Sequence, residues 1–207
     1  MSAPRPLIVC DLDGTLVDSK QDLVNATNDV VVSYGGEPLA AARVAAMIGE
    51  GAKLLVERAL AASGLDPREP DALDRFRGAY DARLLATTRP YDGIPALLDT
   101  LSQAGARLAV CTNKFEALSK ALLRQLDLDH RFAVIAGRDT FDVFKPAPGH
   151  LIRTIEMAGG RADRAVMVGD SEVDIATAAA AGVPSIAVTF GYTPRPVAEF
   201  NPGAVID

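Results

Sequence analysis

Residues Leu7–Asp18, LIVCDLDGTLVD, constrain the fold of this chain more than any other stretch. Leu7 to Cys10 is a short apolar run of the kind that builds a strand buried on both faces. It stops at Asp11, and Asp13, Gly14 and Thr15 follow at once. Two carboxylates two residues apart at a strand end can point the same way. Left unpaired they repel each other and are poorly solvated, so the pattern asks for a divalent cation or a shared proton. Gly14 lets the backbone turn where a side chain would clash.

After this motif the spacing changes from strand to helix. Leu23, Ala26, Thr27 and Val30 share one helical face, closed by Gly35-Gly36. Further helices are predicted over Ala41–Ile48, Ala52–Ala62 and Asp71–Ala86, so that four helices stand in a row before Pro90. Beyond Pro90 strands and helices alternate: helix Ile94–Ala104, strand Arg107–Cys111, helix Glu116–Leu126, strand Ala133–Ala136. The alternation continues with helix Pro148–Ala158, strand Ala165–Val168, helix Val173–Ala181 and strand Ser185–Thr189, and a last short strand is placed near Ala204–Ile206. Strands separated by helices mean parallel βαβ units. The expected fold is α/β, a Rossmann-like parallel sheet with helices on both faces. Its core spans residues 1–17 and 91–207, split by a helical unit over residues 18–90.

In an open parallel sheet reactive groups collect at the carboxyl ends of the strands. Those ends carry Asp11 and Asp13, then Thr112-Asn113-Lys114, then Lys145-Pro146 in a following loop, then Gly169-Asp170 with Asp174 beyond. Asp170 and Asp174 are four apart at a helix start, on one face, where the helix N-terminus favours anions. Taken alone they fit a capping Asp and a surface Asp. With Asp11 and Asp13 they make a hard, oxygen-rich site suited to Mg2+. Thr112 fits a helix cap as well as a hydroxyl holding phosphate oxygens, and Lys145 alone fits a solvated loop lysine.

Charge bears on what such a site can act upon. Twenty-one Lys and Arg against 27 Asp and Glu give a net −6 with no basic block, which argues against a nucleic-acid track. An acidic protein handling a phosphate ester must supply positive charge locally, from a metal or single lysines. No apolar run approaches the ~20 residues of a membrane span, and the N-terminal MSAPRP lacks an apolar signal-peptide core. Cys10 and Cys111 both lie in strand-like runs, so no disulfide framework is expected and both are read as small buried hydrophobes. The expectation is a soluble, cytoplasmic protein without membrane or nucleic-acid partners, as a monomer or a homodimer.

DLDGT at Asp11–Thr15, Thr112 after the second core strand, Lys145 in K-P-x-P and GDSEVD at Gly169–Asp174 resemble, in order and spacing, the four motifs of the haloacid dehalogenase-like (HAD) phosphohydrolases. The helical insert after the first motif resembles that family's C1 cap. Gly49-Glu50-Gly51-Ala52, Thr112-Asn113-Lys114 and Phe190-Gly191-Tyr192 resemble stretches of the phosphoglycolate phosphatases within it. Two positions depart from the commonest pattern: Arg138 where many relatives have Gly, and Phe144 before the lysine.

The resemblance implies a Mg2+-dependent phosphomonoesterase acting on a small-molecule phosphate ester through an aspartyl-phosphate. Asp11 would be the nucleophile and Asp13 the acid/base. The metal would be held by Asp11, the Asp13 carbonyl and Asp170, oriented by Asp174. Thr112 and Lys145 would clamp the phosphoryl oxygens, with Gly14 and Asn113 beside them. Substrate choice is expected in the cap, at the turn Gly49 to Gly51. A carboxylate on the substrate would need a cation or N–H groups from the cap, and the N-terminus of the third cap helix offers backbone donors. Lys53 and Arg43 are the nearest cations in sequence, Lys53 being the candidate and Arg43 better read as solvated. Other HAD activities, on sugar phosphates, nucleotides or pyrophosphate or as a mutase, share the same core residues. Asp13 argues against a dehalogenase. A signalling receiver domain is shorter and lacks the helical insert, and a non-catalytic relative would be marked by loss of Asp11.

Overall fold

The computed structural model describes residues 5–207, so the reading of MSAPRP as lacking a leader falls partly on residues outside it. Its centre is a six-stranded parallel sheet. β1 (Leu7–Cys10) lies between β4 (Arg107–Cys111) and β6 (Ala165–Gly169). Outside these come β5 (Val134–Ala136) on one side, then β7 (Ser185–Val188) and β8 (Ala204–Ile206) on the other. The apolar run of β1 is divided between two cores by the twofold alternation of a strand. Leu7 and Val9 pack with Ala109 and Met167 under α7 (Pro148–Met157) and α8 (Glu172–Ala181). Cys10 packs with Leu108 and Val110 on the opposite face, under α5 (Ile94–Gln103) and α6 (Glu116–Gln125), which contribute Leu98, Leu122 and Leu123. Among the described residues no helix is long and apolar enough to cross a membrane.

The first core segment leaves the sheet through β2 (Val17–Asp18) and returns through β3 (Arg89–Pro90), and these two pair antiparallel. Strands this short carry no periodicity, so the ribbon was not legible in the sequence. Between them run α1 (Lys20–Ser33), α2 (Ala41–Ala45), α3 (Ala52–Ala62) and α4 (Ala72–Asp81), around their own core of Leu23, Val30, Leu55, Leu60, Phe76 and Tyr80.

Two of these helices stop short of their predicted ends. α2 gives way after Ala45 to tight turns, in which Met47 and Ile48 donate to Val44 and Ala45, three residues back. α4 ends at Asp81 in similar turns, and Leu85 then adopts φ +70°, which no helix can include. The apolar spacing continues past both ends because those side chains still pack: Ile48 and Leu84 join the helical core although their backbone is no longer helical.

The two crossings of the insert are tied together by a buried carboxylate. Asp22, in the first turn of α1, accepts hydrogen bonds from the N–H and hydroxyl of both Thr87 and Thr88, at 2.6–3.0 Å. Burial alone would raise its pKa, but these bonds outweigh burial and hold it below the ordinary value. Asp22→Asn keeps the shape but turns an N–H donor toward N–H donors, and should cost about 2–3 kcal/mol in chemical denaturation at neutral pH. A depressed folded-state pKa stabilises above the unfolded value, near 3.9, and that stabilisation is lost as pH falls through the folded value. The stability difference between the unsubstituted protein and Asp22→Asn should therefore shrink in acid. A gap that widens on acidification would contradict the assignment.

Candidate active site

Asp11 follows β1 directly and is fixed by its own N–H, which donates to the Val168 carbonyl of β6 at 2.9 Å. The chain then folds back tightly: Leu16 and Val17 donate to the Leu12 carbonyl, with Gly14 at φ +89°. A Cβ on Gly14 would lie 2.5 Å from an Asp170 oxygen, and one on Gly191 would collide with the same carboxylate. Both glycines are therefore required for Asp170 to stand beside Asp11.

Three buried carboxylates, Asp11, Asp170 and Asp174, present oxygens within 4.8 Å of one another. Lys145, buried at the end of the β5–α7 loop, sets its ammonium 2.9 Å from Asp11 and 2.6 Å from Asp174. Burial disfavours that ammonium, but Asp11 and Asp174 more than offset it, so its pKa stands above the usual lysine value. Asp174 is also pinned by a capping box with Ser171 at the start of α8. Asp170 has no cationic partner among the described residues; it accepts from the Thr15 hydroxyl at 3.1 Å and the Tyr192 N–H at 2.9 Å. Burial, followed by the neighbouring carboxylates, raises its pKa, and burial raises that of Asp11 against the pull of Lys145. Despite the ammonium at 2.9 Å, Asp11 Oδ1 receives no well-aligned hydrogen bond. One ammonium facing three buried carboxylates leaves an excess of negative charge on hard oxygen donors. That donor set fits a divalent cation such as Mg2+.

Asp13 faces a different set of partners. Its carboxylate accepts from Ser19 Oγ at 2.5 Å and from Lys114 Nζ at 2.9 and 3.0 Å. Lys114 also donates to the Tyr80 hydroxyl of α4 at 2.7 Å, and the Ser19 N–H donates to the Tyr192 hydroxyl at 2.6 Å. So the carboxylates of Asp11 and Asp13 lie in separate networks, and it is Asp174, read from sequence as orienting the metal ligands, whose oxygens join the Asp11–Asp170 cluster. Asp170 precedes the Ser171 cap, so it is held by the strand end and the two glycines, not by the helix face assumed from spacing.

Thr112 and Asn113 are buried at the end of β4, and Thr112 Oγ1 accepts from the Lys114 N–H at 3.2 Å without capping α6, whose N-cap is Phe115. Asn113 Nδ2 donates to the carbonyls of Gly49 at 3.2 Å and Lys145 at 3.0 Å, which leaves its Oδ1 without a donor. Gly49 and Gly51, at φ +122° and +95°, bring the α2–α3 turn down onto this surface. Asp11, Asp13, Thr112 and Asn113 form one wall of a narrow cavity of about 50 Å³, and residues of α3 and α4 form the other.

Lys53 is not brought to this cavity. It follows Gly51 by two residues, but α3 turns its side chain outward, where it is 65% exposed beside Glu57; Arg43 is exposed as well. The cation that does line the cavity is Lys114, only 6% exposed. It stood in the sequence as the third residue of Thr112-Asn113-Lys114, but nothing local distinguished it from a solvated lysine. Tyr80 was legible only as a member of the apolar stripe of α4, and Ser19 and Thr15 only as chain between motifs.

A sequence model of the haloacid dehalogenase-like hydrolases matches residues 8–188. The chain is 47% identical over 205 residues to a phosphoglycolate phosphatase of Mesorhizobium japonicum, covering 98% of this chain and 90% of that one. It is 46% identical to the phosphoglycolate phosphatase of Agrobacterium fabrum, covering 98% and 88%. Among solved structures, a predicted phosphoglycolate phosphatase from Haemophilus somnus superimposes with a TM-score of 0.91 at 28% identity, covering 98% of this chain and 94% of that one.

Cys10 and Cys111 each immediately precede a residue of this site, and both are buried free thiols. Burial raises each thiol pKa to about 12, so neither presents a thiolate at neutral pH. An aromatic disulfide reagent should leave both unmodified over minutes in the folded protein and modify both in denaturant. Rapid labelling of either thiol under native conditions would show that its strand end is open to solvent.

Proposed function

This chain belongs to the haloacid dehalogenase-like hydrolases and is a phosphatase of that family; on that premise we propose that it hydrolyses a small phosphate monoester, 2-phosphoglycolate, with Mg2+ bound beside Asp11. The observation that carries this reading is the Asp11 carboxylate, buried at the head of the central strand, beside the Lys145 ammonium, and facing the cavity.

Asp11 attacks phosphorus in line with the ester oxygen. A bond from its carboxylate to phosphorus forms as the bond to the leaving alcohol breaks, giving an aspartyl-phosphate. Asp13 gives a proton to the departing oxygen and later takes one from the water that hydrolyses the intermediate. Lys145 and Thr112 hold the equatorial oxygens on which charge is carried through the reaction, with Asn113 and the backbone at Gly14 beside them. Mg2+, held by Asp11, the Asp13 main-chain carbonyl and Asp170 with Asp174 orienting them, would supply charge neutralisation between nucleophile and phosphate.

The helical unit supports a further part of the reading. Residues 18–90 act as a C1-type four-helix cap over a core of residues 1–17 and 91–207, with the β2–β3 ribbon as its hinge. Its turn Gly49 to Gly51 closes the cavity over the leaving group and excludes water from the aspartyl-phosphate. Two unpaired buried thiols fit a reducing, cytoplasmic setting.

The purified protein should hydrolyse 2-phosphoglycolate with Mg2+, stop in EDTA and recover when Mg2+ is returned. Full activity in metal-free buffer would remove the metal from the reading. Asp11→Asn should fold and show no steady-state turnover, because an amide oxygen is a poor nucleophile. Asp13→Asn should slow turnover by about 10²–10⁴-fold, the usual contribution of a positioned acid/base. Sustained turnover by Asp11→Asn would refute the covalent route.

A further inference from the structure

Lys114 and Tyr80 take no step of their own in the phosphoryl chemistry above, although Lys114 pairs with Asp13, and both are buried and face the cavity. Among the described residues Lys114 is the only lysine or arginine lining it. The surrounding wall is apolar, with Leu23, Leu55, Phe76 and Leu118. A cation in such a wall is expensive to keep unpaired, and Asp13 pairs it at 2.9 Å while its ammonium stays against the cavity.

The hydrogen bonds here are unevenly used. The Lys114 ammonium spends its three protons on the two Asp13 oxygens and the Tyr80 hydroxyl, at 3.0, 2.9 and 2.7 Å. Tyr80 is the acceptor in that last bond, so its own proton remains to be given, and among the described residues no acceptor receives it. Lys114 therefore supplies charge and Tyr80 supplies a free, polarised donor next to it.

Position then defines the ligand. On the reading above Asp11 marks the phosphorus end of the site and Asp13 the ester oxygen, and Lys114 touches Asp13 at 2.9 Å in the same cavity lining. The cavity is small, about 50 Å³, which favours a small group beside the ester oxygen.

We propose that Lys114 and Tyr80 form a subsite for a second anion on the substrate, selecting phosphate monoesters that carry a carboxylate on the carbon attached to the ester oxygen. The proposal rests on the phosphomonoesterase reading above and assigns to Lys114, from the core, and Tyr80, from the insert, the role that sequence proximity gave to Lys53. The anion accepts from the Tyr80 hydroxyl and is neutralised by the ammonium behind it. A neutral ester of the same size would offer the free Tyr80 proton no charged acceptor, and hydrogen bonds to charged groups are the stronger ones.

The test compares 2-phosphoglycolate with 2-hydroxyethyl phosphate, its uncharged counterpart, by kcat/KM in Mg2+. The unsubstituted protein should favour the charged ester. Lys114→Gln should cut that preference about tenfold to hundredfold, equivalent to ~1.4–2.8 kcal/mol, and Tyr80→Phe should cut it about tenfold. Lys114 also touches Asp13, so Lys114→Gln will slow both esters, and the ratio is the readout. If Lys114→Gln does not fold, judged by circular dichroism, Tyr80→Phe decides alone. Equal losses on both esters in the folded variants would overturn the subsite while leaving the phosphomonoesterase intact. Failure of the unsubstituted protein to hydrolyse either ester would overturn both.

Discussion

The contact between the Lys145 ammonium and the carboxylates of Asp11 and Asp174, at 2.9 and 2.6 Å with all three side chains at most 10% exposed, is the interaction on which the remaining geometry depends. Removing one partner of a buried ion pair costs about 3–5 kcal/mol, because the other charge is stranded. An exposed pair such as Arg161–Asp163 contributes little, because water screens it. The loop after β5, the end of β1 and the first turn of α8 are thus tied to one point by an interaction that none can leave cheaply. On the proposed reading that point also holds the phosphoryl group, so the demand for charge compensation and the demand of the chemistry fall on the same atoms.

Around this point the D-x-D motif divides two tasks. Asp11 turns toward Lys145, Asp170 and Asp174, all from the core. Asp13 turns toward Lys114 and Ser19, and through Lys114 to Tyr80 on the insert. Two networks, one with Lys145 and one with Lys114, thus start two residues apart in the chain. Changes in α4 can alter the second network while leaving the first in place, since none of the groups bonded to Lys145 comes from the insert.

What the sequence could reveal follows from which signals are local. The six core strands and the residues at their ends were legible because a short apolar run that stops at a polar residue or a glycine is visible without knowing its neighbours. Lys145 was legible only through the motif around it, since a lysine next to two prolines looks solvated until the sheet buries it. Lys114 and Tyr80 lie 34 positions apart and meet only because α4 folds back over the end of β4, which no window of sequence contains. Lys53 misled for the converse reason: nearness along the chain placed it beside the Gly49–Gly51 turn, but α3 begins at Ala52 and rotates the next side chain to the outside. The β2–β3 ribbon is two residues long on each side, below the length at which alternation can be detected.

The two positions that departed from the common pattern, Arg138 and Phe144, show how the insert's turn is held. The Arg138 guanidinium stacks 3.6 Å from the Phe144 ring centre and donates to the Glu50 carbonyl at 3.2 Å, while Asn113 donates to the Gly49 carbonyl, also at 3.2 Å. Successive carbonyls of one turn are therefore each captured by a core side chain. The stacking aims the guanidinium, since an arginine free to choose rotamers would lose entropy on docking. Gly51 sits under this arrangement, and a Cβ there would come within 2.8 Å of the guanidinium and 3.2 Å of the Asn113 carbonyl. The glycine is needed for close approach as much as for its positive φ. The turn thus meets the core as a fitted surface, with its carbonyls facing donors that the core orients.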